Sequence, residues 1–220
     1  MRARKISLKI ADGKTSGLLR LPTKSAAIFV MAHGAGAGME HPFLENLSAG
    51  LAKRGIASLR FNFPYMEAGK RRPDSPAVAK QAIAAALERA KKEAPSLPCL
   101  LGGKSFGGRM ASQLAAEKSL SILGLVYLGF PLHPPDKPAT KRAAHLPSIT
   151  VPQLFLQGTR DKLADLALMK ETVAPLKKAT LLIIDGADHG FDVLKRSERT
   201  PQEVLDELAD SVMQWTMKLV

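Results

Sequence analysis

A mostly parallel, doubly wound α/β sheet of about seven to eight strands, with helices on both faces, is the fold this sequence predicts. Three observations point there. Eight apolar, strand-like segments recur along the chain, and helical patterns with recognisable ends separate most of the later ones. Those later segments are continuous apolar runs, as expected of parallel strands covered on both faces. A length of 220 residues allows one complete domain with a substantial core and is short for two.

The elements follow in order. "KISLKI" and "TSGLLRL" are short and partly polar, so they fit an antiparallel edge hairpin. "AAIFVMAH" is a buried strand that runs into the glycine-rich "HGAGAGM". Phe43, Leu47 and Leu51 then repeat at helical spacing until Gly55 offers a stop. "IASLRFNF" is the next strand and leads into a long loop, "PYMEAGKRRPD". Ser75-Pro76 supplies an N-cap and a first-turn proline for a helix whose face is Ile83, Ala86, Leu87 and Ala90. "CLLGGKS" is a strand, and Met110, Ala111, Leu114 and Ala115 form one side of the helix after it. "ILGLVYLGF", "PQLFLQG" and "ATLLIIDG" complete the strands. The last helix opens with the capping box Thr200-Pro201-Gln202-Glu203 and buries Val204, Leu205, Leu208, Val212, Trp215 and Leu219. One segment, about 131–149, is too rich in proline for a long helix. It reads as a short rim or minimal lid inserted into the single domain, 1–220.

Composition narrows the function classes. No run of 18 apolar residues suggests a membrane span, and "MRARKISLKIADG" lacks the apolar stretch of a secretory signal. Cys99 is the single cysteine and sits in an apolar run, which suits a buried core position in a reducing, cytoplasmic setting. The net charge of +12 invites a search for nucleic-acid binding. Aromatics make up only 5% of the chain and no basic run interleaves with them, so stacking platforms are scarce and no specific nucleic-acid site is expected. No metal or cofactor is expected.

The chemistry concentrates in "LGGKSFGGRM", residues 101–110. Gly103-Lys104-Ser105 matches the tail of a phosphate-binding P-loop, and Gly103-x-Ser105-x-Gly107 matches a turn that presents a nucleophilic serine. A P-loop needs glycine at the position of Pro98, and the residues between are a strand. The serine turn fits its surroundings, with a strand before and a helix after. A serine hydroxyl attacks only when a histidine takes its proton and an acid orients that histidine. Asp161 follows one late strand and His189 follows the next. Asp165, Asp185 and Asp188 are competing acids; His33, His41, His133 and His145 are competing bases. His33 suits a structural or oxyanion role. "HGAGAGM" fails as a dinucleotide fingerprint because Met39 stands where glycine or alanine is needed. It instead offers a backbone N–H, from Ala35 or a near neighbour, to partner that of Phe106 around an oxyanion.

Together "HGAGAGMEHPF", "RFNFPYMEAGKRRPD", "GGKSFGGRMAS", "GFPLHPP" and "LQGTRD" resemble the α/β-hydrolase-like family that includes testis-expressed protein 30, with a more distant similarity to dienelactone hydrolases. The resemblance spans roughly His33 to His189. It implies an α/β-hydrolase fold and a serine hydrolase with Ser105, His189 and Asp161 as its triad, and it names no substrate. Dienelactone hydrolases use a cysteine nucleophile, which Ser105 is not. A small ester or thioester, cleaved through an acyl-enzyme, is the expected substrate. The alternative is a hydrolase fold used only as a binding or scaffold module. Tyr65, Arg71 and Arg72 are candidate substrate-binding residues. The two arginines belong to a basic set with Arg60, Lys70, Lys104, Arg109 and Arg160 that either binds an anionic acyl group or is simply solvated and tied to carboxylates such as Glu67 and Asp74.

Overall fold

The computed structural model describes residues 2–10 and 13–220. β1 (Arg4–Ile10) and β2 (Gly13–Arg20) form the antiparallel edge hairpin, with Ile6 opposite Gly17 and Leu8 opposite Thr15. β3 (Ala27–Ala32), β4 (Ile56–Phe61), β5 (Cys99–Lys104), β6 (Gly124–Leu128), β7 (Gln153–Gly158) and β8 (Ala179–Ile184) make a parallel array. The eight strands lie in one sheet, ordered β1-β2-β4-β3-β5-β6-β7-β8, and β2 joins the array antiparallel to β4.

Helices α1 (Pro42–Lys53) and α6 (Pro201–Thr216) cover one face. Leu47, Leu51, Leu208, Val212 and Trp215 pack there on Phe29, Leu100, Val126 and Leu154. Helices α3 (Pro76–Glu93), α4 (Phe106–Glu117) and α5 (Leu166–Val173) cover the other face, where Ile83, Met110 and Met169 meet the alternate residues Ile28, Val30 and Leu101. The central strands are buried throughout because both of their faces are covered. β8 is equally apolar in sequence, yet most of it is only half-buried because it is the sheet's edge. The stop signals act as read: Gly55 takes φ +74° after α1, and Thr200 and Glu203 exchange both capping-box hydrogen bonds.

Two short helices lie in stretches whose sequence showed no helical repeat. α2 (Pro64–Glu67) is a single turn, and α5 is capped by the Asp165 carboxylate, which accepts from Leu168 N–H at 2.9 Å. The proline-rich segment from 131 to 149 connects β6 to β7 through two 3-10 turns, Lys141–Ala143 and Leu146–Ser148. Leu146 and Ile149 are buried in the α3/α4/α5 layer, and His145 Nε2 pairs with Ser112 Oγ of α4 at 2.7 Å.

Arg60 is not part of a basic surface. Its side chain is fully enclosed between sheet and α1, where it pairs with Glu45 and donates to the Met39 carbonyl at 2.9 Å. Glu45 also pairs with Arg20, whose Nε reaches Ser48 Oγ at 3.0 Å. A buried guanidinium is tolerable only with such partners. This network fixes α1, and the loop before it, against β2 and β4.

Where β5 turns into α4, backbone lies directly on backbone. A Cβ on Gly103 would stand 2.0 Å from the Ala32 carbonyl oxygen, and one on Gly107 would stand 2.5 Å from the same atom. Glycine at these positions lets the turn after β5 press against the end of β3. Exposed helical glycines normally gain about 1 kcal/mol on replacement by alanine. Gly107→Ala is expected to do the reverse, lowering stability by about 2 kcal/mol or more, since rigid backbone must move to admit the methyl group. Urea unfolding of the variant beside the parent chain measures the sign.

Candidate active site

All the chemistry-bearing loops leave the sheet at the carboxyl ends of parallel strands, on one edge. Ser105 caps α4 with φ +49° and ψ −112°, a conformation rare for a residue with a side chain. Its N–H donates to the Leu128 carbonyl at 3.1 Å, so neighbouring β6 holds the turn in place. The hydroxyl is thereby pushed out of the sheet edge toward the loop after β8.

His189 lies on that loop. Its Nε2 is 2.8 Å from Ser105 Oγ, and its Nδ1 is 2.7 Å from Asp161 Oδ2. Nδ1–H donates to the carboxylate, which leaves Nε2 as the acceptor for the serine hydroxyl. The Asp161 side chain is completely buried, while the imidazole is about one quarter exposed. Gln157 Nε2 donates to Asp161 Oδ2 at 2.6 Å and Leu163 N–H donates to Oδ1 at 2.8 Å, so both oxygens are fixed. The two loops are joined to each other where Arg160 N–H donates to the Ala187 carbonyl at 2.9 Å.

The competing acids have other work. Asp165 caps α5; Asp188 Oδ1 accepts from Gly190 N–H at 2.7 Å and Asp192 N–H at 3.0 Å within its own turn. Asp185 Oδ1 lies 3.4 Å from Thr159 Oγ1. The competing histidines are likewise accounted for. His41 caps α1, accepting from Phe43 N–H at 3.3 Å, and His133 Nε2 accepts from Asp165 N–H at 2.7 Å. His33 is buried behind the glycine-rich loop. It donates from Nδ1 to the Gly34 carbonyl at 2.7 Å and accepts at Nε2 from Phe63 N–H at 3.1 Å. Burial pushes its pKa down to about 4, so the neutral tautomer that satisfies both bonds is the stable one. It fills a structural role.

The glycine-rich loop spends its N–H groups unevenly. Gly36 donates to Tyr65 Oη at 2.8 Å, Ala37 to the Gly34 carbonyl at 3.2 Å, and Met39 to Asn62 Oδ1 at 2.9 Å. Among the described residues, the exposed Ala35 N–H makes no hydrogen bond. Phe106 is the first residue of α4, so its N–H is one of the helix-start donors that lack an intrahelical acceptor. Backbone donors of this kind can receive negative charge that develops on a substrate oxygen.

A cavity of about 340 Å³ opens beside these groups, lined in part by Ala35, Ala37, Phe43, Leu44, Leu163 and His189. Its wall is chiefly apolar. Tyr65 does not line it: the phenol is buried and braces Gly36, a second-layer role the sequence did not reveal. Arg71 and Arg72 are exposed and also lie outside the cavity wall. Arg160 donates from its guanidinium to the Gly186 carbonyl at 3.0 Å. Asp74 and Glu67 do tie down the loop, but to Tyr65 N–H, Ser16 and Asn62 and not to these arginines. Lys104 lines the cavity, and its ammonium reaches the His189 carbonyl. Among the described residues no group of three or more His, Cys, Asp or Glu side chains could hold a metal, and no helix is long and apolar enough to cross a membrane.

Solved structures of similar shape have related chemistry in their names. An alpha-beta serine hydrolase homologue from Coxiella burnetii superposes with a TM-score of 0.78 at 19% identity, covering 97% of each chain. A dienelactone hydrolase from Anabaena variabilis gives 0.78 at 19% identity over the whole of both chains. A serine hydrolase without a lid from Xanthomonas campestris gives 0.75 at 19% identity, over 98% of this chain and 95% of that one. At such identities the likeness concerns the fold. The alpha/beta hydrolase domain family is matched over residues 25–217, nearly the whole sequence, and the chain belongs to that family.

Proposed function

We propose that the protein is a serine hydrolase that cleaves a small ester or thioester through an acyl-enzyme intermediate. The observation that carries this is the unbroken hydrogen-bonded series from Ser105 Oγ through His189 to the buried Asp161, at 2.8 and 2.7 Å. Ser105 Oγ attacks the acyl carbonyl carbon while His189 Nε2 takes its proton. The carbonyl oxygen becomes an oxyanion, received by the N–H groups of Phe106 and Ala35. Collapse of this intermediate breaks the bond to the leaving alcohol or thiol, which departs with the proton from His189. Water then attacks the acyl carbonyl while His189 takes its proton; collapse breaks the bond to Ser105 Oγ, which recovers the proton from His189 as the carboxylic acid leaves. Asp161 holds the imidazole in the required tautomer and offsets the charge that forms on it.

The apolar wall of the cavity favours an uncharged acyl group. The lysine that borders the cavity already has its ammonium on the His189 carbonyl, and Arg71 and Arg72 lie outside the lining. An anionic acyl group would therefore be buried without a dedicated partner.

Ser105→Ala is expected to lower kcat for p-nitrophenyl acetate or butyrate by on the order of 10⁴-fold or more, and to abolish labelling by a fluorophosphonate probe. Its melting temperature should stay close to that of the parent. Retained turnover would remove Ser105 from the mechanism, and wild-type protein that neither labels nor turns over any acyl ester would favour the binding-module alternative.

Asp161→Asn should lower kcat by about 10⁴-fold, because an amide at this position favours the wrong histidine tautomer. Asp165→Asn and Asp188→Asn, which alter a helix cap and a turn, should affect thermal stability more than kcat. Steady-state kinetics and melting curves on the three variants separate these outcomes.

A further inference from the structure

Among the described residues no carboxylate forms an ion pair with the Lys104 ammonium, although Asp161 and Asp188 act on it from nearby. Its stem borders the cavity, and its Nζ donates to the main-chain carbonyl of His189. The same Nζ stands 5.3 Å from the centre of the Phe191 ring. Phe191 in turn stacks on Phe43 of α1, with ring centres 5.5 Å apart and planes 9° from parallel. Phe191 itself adopts φ +67°, and its N–H donates to the Asp188 carbonyl at 3.0 Å, so the loop carrying His189 turns back on itself. A Cβ on Gly129 would lie 3.0 Å from Lys104 Nζ and 3.5 Å from both Asp161 Oδ2 and His189 Nδ1. Ammonium, carboxylate and imidazole therefore crowd around one α-carbon.

We propose that Lys104 is a positioning residue: its ammonium ties the His189 loop to the strand that carries Ser105 and so holds the imidazole at the serine hydroxyl. The inference rests on the serine-hydrolase reading of the site. Lys104 is covalently next to Ser105, so its bond to the His189 carbonyl fixes nucleophile and base from a single strand end. A charge-assisted bond is stiffer than a neutral one, which matters where a small displacement of the imidazole would lengthen the 2.8 Å contact. Burial pushes the ammonium down to about 8, and Asp161 and Asp188 oppose that shift, so most of it stays charged at neutral pH. The groups facing it are Asp161 from the loop after β7 and Asp188 and His189 from the loop after β8.

The test compares wild type with Lys104→Met, which removes charge and donor, Lys104→Gln, which keeps a donor, and Lys104→Arg, which keeps both. Wild-type turnover and its dependence on Ser105 are established first with p-nitrophenyl butyrate, so failure of the hydrolase reading shows up separately. Lys104→Met is expected to lower kcat by about 10- to 100-fold, the range for loss of a hydrogen bond to a charged group, with KM within about two-fold. Lys104→Gln, which keeps a neutral donor, should recover part of kcat, and Lys104→Arg should recover most of it, with KM near the wild-type value in each. If Lys104→Met does not fold by circular dichroism, the Gln and Arg pair carries the same comparison. A kcat that Lys104→Met leaves at the wild-type value, a loss that appears in KM and not in kcat, or a loss of kcat that Lys104→Arg leaves unrelieved overturns the proposal.

Discussion

Everything at the carboxyl edge of the sheet depends on one close contact: the backbone on either side of Ser105 lying on the carbonyl of Ala32. Gly103 and Gly107 have no Cβ, and a Cβ there would stand 2.0 and 2.5 Å from the Ala32 carbonyl oxygen, far inside van der Waals contact. Close approach forces the strand-to-helix turn to be tight, and the tight turn puts Ser105 at φ +49°. A strained residue persists only where its surroundings over-determine it. Here the bond from Ser105 N–H to Leu128 and the glycine contacts on Ala32 together supply that constraint. The serine hydroxyl is aimed by the packing of three strands and one helix, not by its own preference.

The neighbouring loop shows how backbone donors are kept available. A glycine-rich turn exposes several N–H groups, and left alone these would fold onto nearby carbonyls or collapse into another turn. Tyr65 Oη and Asn62 Oδ1 take the N–H groups of Gly36 and Met39, while neutral His33 holds the carbonyl of Gly34. The loop is thus immobilised by side chains from the segment after β4, and Ala35 N–H is left open beside the cavity. Asn62 is itself oriented by Glu67, which also accepts from Ser16 of β2. A polar network two layers deep stands behind one peptide group.

The charge of the chain sorts into distinct physical roles. Arg20 and Arg60 are internal and share Glu45; Arg54 pairs with Asp206 and Asp210 to join α1 to α6; Arg160 holds the turn before His189. Lys104 lies beside His189, with Asp161 and Asp188 nearby. Arg71 and Arg72 are solvated, where a charge contributes to long-range potential and little to local structure. A net charge of +12 is therefore not one basic patch. The same residue type serves as strut, counter-ion or surface charge according to burial.

The sequence by itself marked the strands and the longer helices and singled out the candidate chemistry-bearing residues. Continuous apolar runs mark strands covered on both faces, capping residues mark helix starts, and glycines two residues either side of Ser105 mark a turn that must approach another backbone. Spacing after late strands singled out Asp161 and His189, because the carboxyl ends of parallel strands necessarily gather at one edge. Tertiary structure decided what periodicity cannot encode. Which carboxylate faces the imidazole depends on where Asp165, Asp185 and Asp188 spend their oxygens, and each spends them on its own loop or a near neighbour. Tyr65 read as a candidate substrate-binding residue and Arg60 as one of a basic set, and packing buried both. Lys104 read as a flank of the serine motif, yet its reach to the His189 carbonyl crosses 85 residues of chain. Hydrogen bonds of that separation exist only after the sheet has assembled, since the sequence specifies each partner's chemistry but not the distance between them.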